Sequence, residues 1–257
     1  MPFPSMRVDG KVAFVTGAGS GLGQAIAVAL AQAGADVAVT ELPGKEAAAA
    51  ETMRAVEAAG RRAFACPLDV TRLPMIPEAV GQALGRLGRI DILVNNAGIN
   101  VPRLALDVTE DDWDRVLNVN LKGAFFTAQA VARQAFVPQG GGKIINIASQ
   151  NGVVGQHHRA AYCSSKAGLV NLTRVLALEW ARYHINVNAV GPTFVDTPLT
   201  RPMFADRAFY DEVLGHIPLG RLATPEDVAG AVVYLASPAA DMVTGHTLLV
   251  DGGWTAS

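Results

Sequence analysis

Tyr162 and Lys166 stand one helical turn apart in the apparently helical stretch 160 to 182, so a phenol and an ammonium share one face. Ser149 closes the apolar run GKIINIAS (142 to 149), an expected strand, and its hydroxyl falls at the carboxyl end, where open α/β sheets hold ligands. These three polar groups can converge on one point. A phenol with an ordinary pKa of ~10 is a poor base at neutral pH. A cation about 6 Å away, at an effective dielectric of ~20, contributes ~2.8 kcal/mol, roughly two pH units. Tyr162 can then take the proton of an alcohol while hydride leaves the carbinol carbon, with Ser149 hydrogen-bonding the developing carbonyl. The reverse reaction reduces a ketone. No side chain accepts hydride, and Cys66 and Cys163 lack C-x-x-C spacing and read as reduced core residues, so a bound cofactor is required.

The place for it is the turn Thr16-Gly17-Ala18-Gly19-Ser20-Gly21-Leu22-Gly23, between an apolar strand and an alanine-rich helix. Glycines let the backbone approach a pyrophosphate, and the helix N-terminus offers unpaired N–H groups and a positive dipole end. Gly17, Ser20, Gly21, Leu22 and Gly23 are the expected contacts. The spacing is G-x-x-x-G-x-G, with Leu22 where the third glycine of G-x-G-x-x-G would stand. Glu41 ends the next strand about twenty residues on, where an acid can hold both ribose hydroxyls and repel a 2′-phosphate. With Ser20 and Leu42 at the nearest positions and only Lys45 within a helical turn, the expected cofactor is NAD rather than NADP.

The elements that must position these residues alternate. Strands are expected at 11 to 16, 36 to 41, 61 to 68, 91 to 96, 142 to 149, 185 to 191 and 246 to 252, with helices between them, a βαβ pattern. Thr224-Pro225-Glu226-Asp227 opens a helix, with a hydroxyl at the cap, proline first and acids in the first turn. After Thr71 the reading divides: Pro74 suits a first turn, whereas Pro77 would break a helix under way, so that helix begins late or is kinked. The 257 residues, half of them hydrophobic, are expected to form one domain (1 to 257). The stretch from about 193 to 222, with three prolines, is the one long irregular candidate and a candidate substrate lid. A net charge of −2 with scattered acids and bases gives no footprint for nucleic acid or an anionic membrane, so a small-molecule partner is expected. The opening MPFPSMRVDG lacks an apolar h-region, and no apolar run approaches the roughly 18 residues of a membrane span, which makes a cytoplasmic location the expectation.

TGAGSGLG, LDV (68 to 70), NNAG (95 to 98), NVNLKG (118 to 123), INIAS (145 to 149), YCSSK (162 to 166) and VDGG (250 to 253) together resemble the short-chain dehydrogenase/reductase family, from Val8 to Trp254. The resemblance implies a Rossmann fold: a seven-stranded, mostly parallel sheet of order 3-2-1-4-5-6-7 with helices on both faces. It implies a catalytic tetrad of Asn120, Ser149, Tyr162 and Lys166, with Lys166 also holding the nicotinamide ribose and Asn120 anchoring a water that relays the proton. Asp69 and Val70 would contact the adenine, and Asn95, Ala97 and Gly98 would line the cofactor. The family's Pro-Gly pair after the sixth strand is here Pro192-Thr193, a bulkier, hydroxylated version expected to alter substrate shape, while Val195 and Thr197 resemble its carboxamide contacts. A homotetramer is implied too, with helices from about 109 to 135 and 160 to 182 paired across an interface.

Gln150, Asn151, His157, His158 and Arg159, with Thr193, make the stretch bordering the pocket polar, which suits a polyol, sugar or sugar acid. Arg159 or Arg103 could pair with a carboxylate. No acid or cysteine near His157 and His158 completes a metal site, so no metal is expected. Met203, Phe204, Phe209 and Tyr210 cover the substrate or pack the lid against the domain. The subfamilies most similar act on sugar acids and polyols, of gluconate type. The competing readings are an oxoacyl thioester reductase, against which Glu41 argues because such enzymes usually take NADPH, and a dinucleotide-binding sensor without turnover.

Overall fold

The computed structural model describes residues 4–198 and 200–256. Its frame is one sheet of seven strands: β1 (Val12–Val15), β2 (Asp36–Glu41), β3 (Ala63–Pro67), β4 (Ile92–Asn95), β5 (Gly142–Ile147), β6 (Ile185–Pro192) and β7 (Thr247–Val250). The order is β3-β2-β1-β4-β5-β6-β7, and all six pairings are parallel. Every carboxyl end therefore opens on the same rim, and the chain changes winding direction between β1 and β4, where such sheets leave a crevice. Both faces are covered. Ala13 and Val15 of β1 point into one core with Ile26 and Val232, whereas Val12 and Phe14 point into the other with Val80 and Phe136. That is why the strands read as continuous apolar runs rather than alternating ones. At the amino-terminal rim, carboxylates close the strand starts: Asp36 accepts from the Arg62 N–H at 3.0 Å and Asp91 from the Val12 N–H at 3.0 Å.

The connecting helices are α1 (Gly21–Gln32), α2 (Glu46–Ala58) and α3 (Met75–Leu87), then a continuous helical rod from 110 to 139, then α7 (Ala160–Trp180), α8 (Arg207–Gly215) and α9 (Pro225–Ala236). The rod comprises α4 (Glu110–Leu117), a wide π turn (Asn118–Gly123), α5 (Ala124–Val131), a second π turn (Ala132–Phe136) and α6 (Val137–Gln139). The second π turn runs directly into Pro138, which lacks the N–H an α-helical turn would use there. α3 begins late, with Pro74 as cap and Pro77 third, where the N–H would have no intrahelical partner anyway. α7 (Ala160–Trp180) carries Tyr162 and Lys166, and α9 (Pro225–Ala236) begins at Thr224 as the sequence led one to expect.

The stretch from 193 to 222 is more regular than expected. Its ends are joined by a parallel bridge between Val195 and Ala223, and it contains a short turn (Arg201–Ala205) and α8 (Arg207–Gly215). Asp206 caps α8 by accepting from the N–H groups of Ala208 and Phe209. Leu199, within the stretch, lies outside the described residues.

Candidate active site

The glycine turn follows β1 and leads into α1. Gly17 (φ 61°) and Gly21 (φ 54°) occupy the left-handed region. At Gly23 the limit is space: a Cβ there would lie 2.2 Å from the Gly17 carbonyl oxygen. Ser20 caps α1 without any side-chain bond, so the first-turn N–H groups stay open toward the crevice. Thr16 and Asn96, which sequence reasoning passed over, hold the turn. The Asn96 amide donates to the Thr16 and Gly17 carbonyls at 2.9 and 3.0 Å, and the Thr16 hydroxyl accepts from the N–H groups of Asn96 and Ala97. Asn96 lies in the NNAG motif, so a signal existed, but its role as a brace needs the two strand ends side by side.

Glu41 lies beside this turn. Its carboxylate accepts from the Gly19 N–H at 3.1 Å and the Leu42 N–H at 2.9 Å. A Cβ on Gly19 would sit 2.6 Å from that carboxylate, so the glycine makes room for the acid. Asp69 follows β3 and accepts from the Thr71 N–H and hydroxyl, while buried Val70 packs against Gly123 of the rod. Asn95 is spent inside the core: its amide donates to the Ala124 carbonyl and to Asn146, and it lies in the ladder between β4 and β5. Beyond β6, Thr193 is buried with its hydroxyl unpartnered, and Thr197 lies over Gly21, close enough that a Cβ there would be 3.7 Å from the threonine's own Cβ. Pro192 ends β6, and Val195 is buried beneath its bridge to Ala223.

Ser149, Tyr162, Lys166 and Asn120 form one cluster at this rim. Lys166 is 4 % exposed, donates to the Ile147 carbonyl at 2.7 Å and holds its ammonium 5.7 Å from the centre of the Tyr162 ring. A Cβ on Gly98 would meet the Asn120 Oδ1 at 3.4 Å and the Lys166 Nζ at 3.7 Å, which ties the cluster to the NNAG turn. The Asn120 side chain is fully engaged: it accepts from the Ile99 N–H and donates to the Ile99 carbonyl and the Ser165 hydroxyl. Ser165 in turn donates to the Tyr162 carbonyl. Burial pushes the Tyr162 phenol above its usual range, opposed by hydrogen bonding with Ser149 and the charge of Arg159. Burial lowers Lys166 to about 8. The electrostatic picture thus differs from the sequence expectation: in the protein without cofactor, desolvation outweighs the nearby charges on the phenol.

The polar wall divides. Gln150, Asn151 and Arg159 are buried, whereas His157 and His158 are exposed. Asn151 donates to Gln156 at 2.7 Å. The two arginines also separate: Arg103 is ion-paired to Asp112, while Arg159 lies with its guanidinium 5.4 Å from the Phe194 ring centre. Phe194 packs against Phe204, Phe209 and Trp254, so the aromatic residues of the 193–222 stretch form a cluster over this side of the crevice.

A family model described as enoyl-(acyl carrier protein) reductase matches residues 17–255. The chain is 44 % identical, over the whole of both chains, to 2-dehydro-3-deoxy-D-gluconate 5-dehydrogenase of Escherichia coli (strain K12). It is 40 % identical to the NAD-dependent glycerol dehydrogenase of Listeria innocua, covering 97 % of this chain and 95 % of that one. Among solved structures, a gluconate 5-dehydrogenase from Burkholderia cenocepacia J2315, in complex with NADP and tartrate, superposes with a TM-score of 0.94 at 38 % identity, covering 99 % of each chain. With the glycine turn, the sheet order and the matches all running the length of the chain, the protein belongs to the short-chain dehydrogenase/reductase family.

Proposed function

We propose that the protein is an oxidoreductase moving hydride between a nicotinamide dinucleotide and a secondary alcohol or ketone of a polyol, sugar or sugar acid. The observation that carries the reading is the convergence of Ser149, Tyr162 and Lys166 at the rim that also carries the glycine turn. The dehydrogenases of deoxygluconate, glycerol and gluconate among its relatives support the substrate class.

The residues fit a dinucleotide: a Cβ would fill the cradle at Gly23, and the α1 N-terminus is open. Gly17, Ser20, Gly21, Leu22 and Gly23 would hold the pyrophosphate, Asp69 and Val70 the adenine, and Ala97 and Gly98, just beyond Asn95, the nicotinamide-side ribose. Pro192, Thr193, Val195 and Thr197 would meet the carboxamide. Glu41, fixed by two backbone N–H groups and with Leu42 next to it, favours free ribose hydroxyls, hence NAD over NADP. When bound, the cofactor supplies the hydride acceptor. Tyr162 takes the alcohol proton at its phenolate oxygen, Ser149 donates to the forming carbonyl oxygen, and the Lys166 ammonium favours the phenolate and orients the ribose. Because the Asn120 amide is already occupied, a relay water would be held by main-chain carbonyl oxygen in the π turn. The aromatic cluster at 194 to 210 serves as the lid, and the enzyme works in the cytoplasm as a homotetramer.

The test is NADH formation followed at the reduced cofactor's absorbance across alditols and aldonates. Tyr162→Phe should lower kcat at least about 10³-fold with the fold and NADH binding retained. Near-normal turnover by this variant would end the proposal.

A further inference from the structure

Arg159 is the one cation of the polar wall that is a largely buried residue and has no anion paired with it among the described residues. It is 8 % exposed, and among the described residues no carboxylate or hydrogen-bond acceptor meets its guanidinium. Its contact is the face of Phe194. Arg103, bridged to it through the backbone, is by contrast paired with Asp112. Arg159 sits one helical turn before Tyr162, and its charge opposes the effect of burial on that phenol. The residue before it, His158, has φ 63°, a left-handed conformation uncommon for a side-chain-bearing residue, and its carbonyl accepts from the Arg103 N–H at 2.9 Å. The loop is thus bent and pinned so that Arg159 enters the fold while His157 and His158 stay outside. Gln150 Oε1 and Asn151 Oδ1, earlier in the same loop, and Thr193 Oγ1, next to Phe194 in the chain, are buried and lack partners.

A guanidinium does not lose its proton in a protein, so burial leaves a full charge to be compensated. The aromatic face offsets only part of that. We propose that Arg159 is the carboxylate receptor of this active site, and that its preferred alcohols are anionic hydroxy acids rather than neutral alditols. This rests on the reading of Ser149, Tyr162 and Lys166 as the reacting end. The planar fork of Arg159 takes both oxygens of a carboxylate, with the free Gln150 and Thr193 oxygens left for hydroxyl groups along the substrate. A neutral polyol fills the same space and leaves the cation unpaired.

Binding to the NADH-loaded protein separates this from turnover, because a reduced cofactor cannot oxidise an alcohol. D-Gluconate and D-glucitol, alike except for carboxylate against hydroxymethyl, are titrated by calorimetry, together with other aldonate and alditol pairs of equal carbon number. The wild type should bind the acid of the best pair roughly tenfold to a hundredfold more tightly than its alditol. Arg159→Gln should erase that preference with the alditol affected much less, and Arg159→Lys, which keeps the charge but not the fork, should restore part of it. Equal binding of acid and alditol by the wild type, binding of neither, or a preference that survives in Arg159→Gln overturns the proposal. If the preference holds and is lost in Arg159→Gln, yet the wild type transfers no hydride from any alcohol, the anion site stands and the oxidoreductase reading falls.

Discussion

At Tyr162, two effects of opposite sign meet: burial disfavours the phenolate, while Ser149 and Arg159 favour it, and burial prevails. The neutral phenol therefore dominates at neutral pH in the free protein. Oxidation needs the phenolate and reduction needs the phenol. kcat/KM for alcohol oxidation should accordingly climb as pH rises from 7 into the alkaline range, while that for ketone reduction falls; flat profiles in both directions would contradict a titrating phenol. Lys166, lowered to about 8, loses its proton within the same window, so the observed limb belongs to the pair rather than to either residue. Glu41 offers a second test at this scale. Glu41→Gln keeps an acceptor but removes the charge, and the ratio of efficiencies with NADP and NAD should rise at least about tenfold. The Tyr162–Lys166 spacing was legible because a helix fixes which residues share a face. Which arginine stays free was not, since Asp112 of α4, nine residues along the chain, meets Arg103 only through the fold of the intervening turn.

The helices show where local signals suffice and where they fail. At α9 the Thr224 hydroxyl accepts from the Asp227 N–H at 3.2 Å and the Asp227 carboxylate from the Thr224 N–H at 2.8 Å. Asp227→Asn should cost about 1 kcal/mol of stability, read as a lower urea midpoint at unchanged slope. Arg221 and the Thr224 N–H hold this carboxyl at about 2 rather than 3.8. Its contribution is complete above the higher value and disappears as pH falls through the lower, so wild type and Asp227→Asn should converge in acid. Thr-Pro-Glu-Asp announces this cap in four adjacent residues. The π turns of the 110–139 rod do not announce themselves, because a one-residue widening leaves the apolar spacing nearly unchanged. In the 193–222 stretch, the prolines concealed α8, although Asp206 ahead of Phe209 and Val213 carries an ordinary cap and an apolar stripe.

Across the whole molecule, α4 and α7 lie side by side and leave Trp113, Val175 and Leu178 at the surface, Leu178 being 82 % exposed. Half-buried Leu117, Leu121, Phe125 and Leu172 continue this apolar face. These are the helices expected to pair across subunits, and an exposed apolar face of this kind is what such a pairing would cover. The wild type should sediment as a tetramer and Leu178→Glu as a smaller species; a monomeric wild type would sink the assembly reading. Sequence periodicity could not separate such outward-facing apolar residues from core, since both satisfy the same helical spacing. The sheet order was accessible only through resemblance, because strand neighbours are set by crossovers rather than by any strand's own residues. That all the strands run in one direction has an engineering consequence. The candidate chemistry occupies a single rim, and the opposite end of the sheet includes the turn at Gly88, where φ is 87° and nothing crowds the glycine. Peptide inserted there would hang from the far end of the molecule, out of reach of the cofactor and the alcohol, making that end the natural handle for fusion, labelling or surface attachment of a working catalyst.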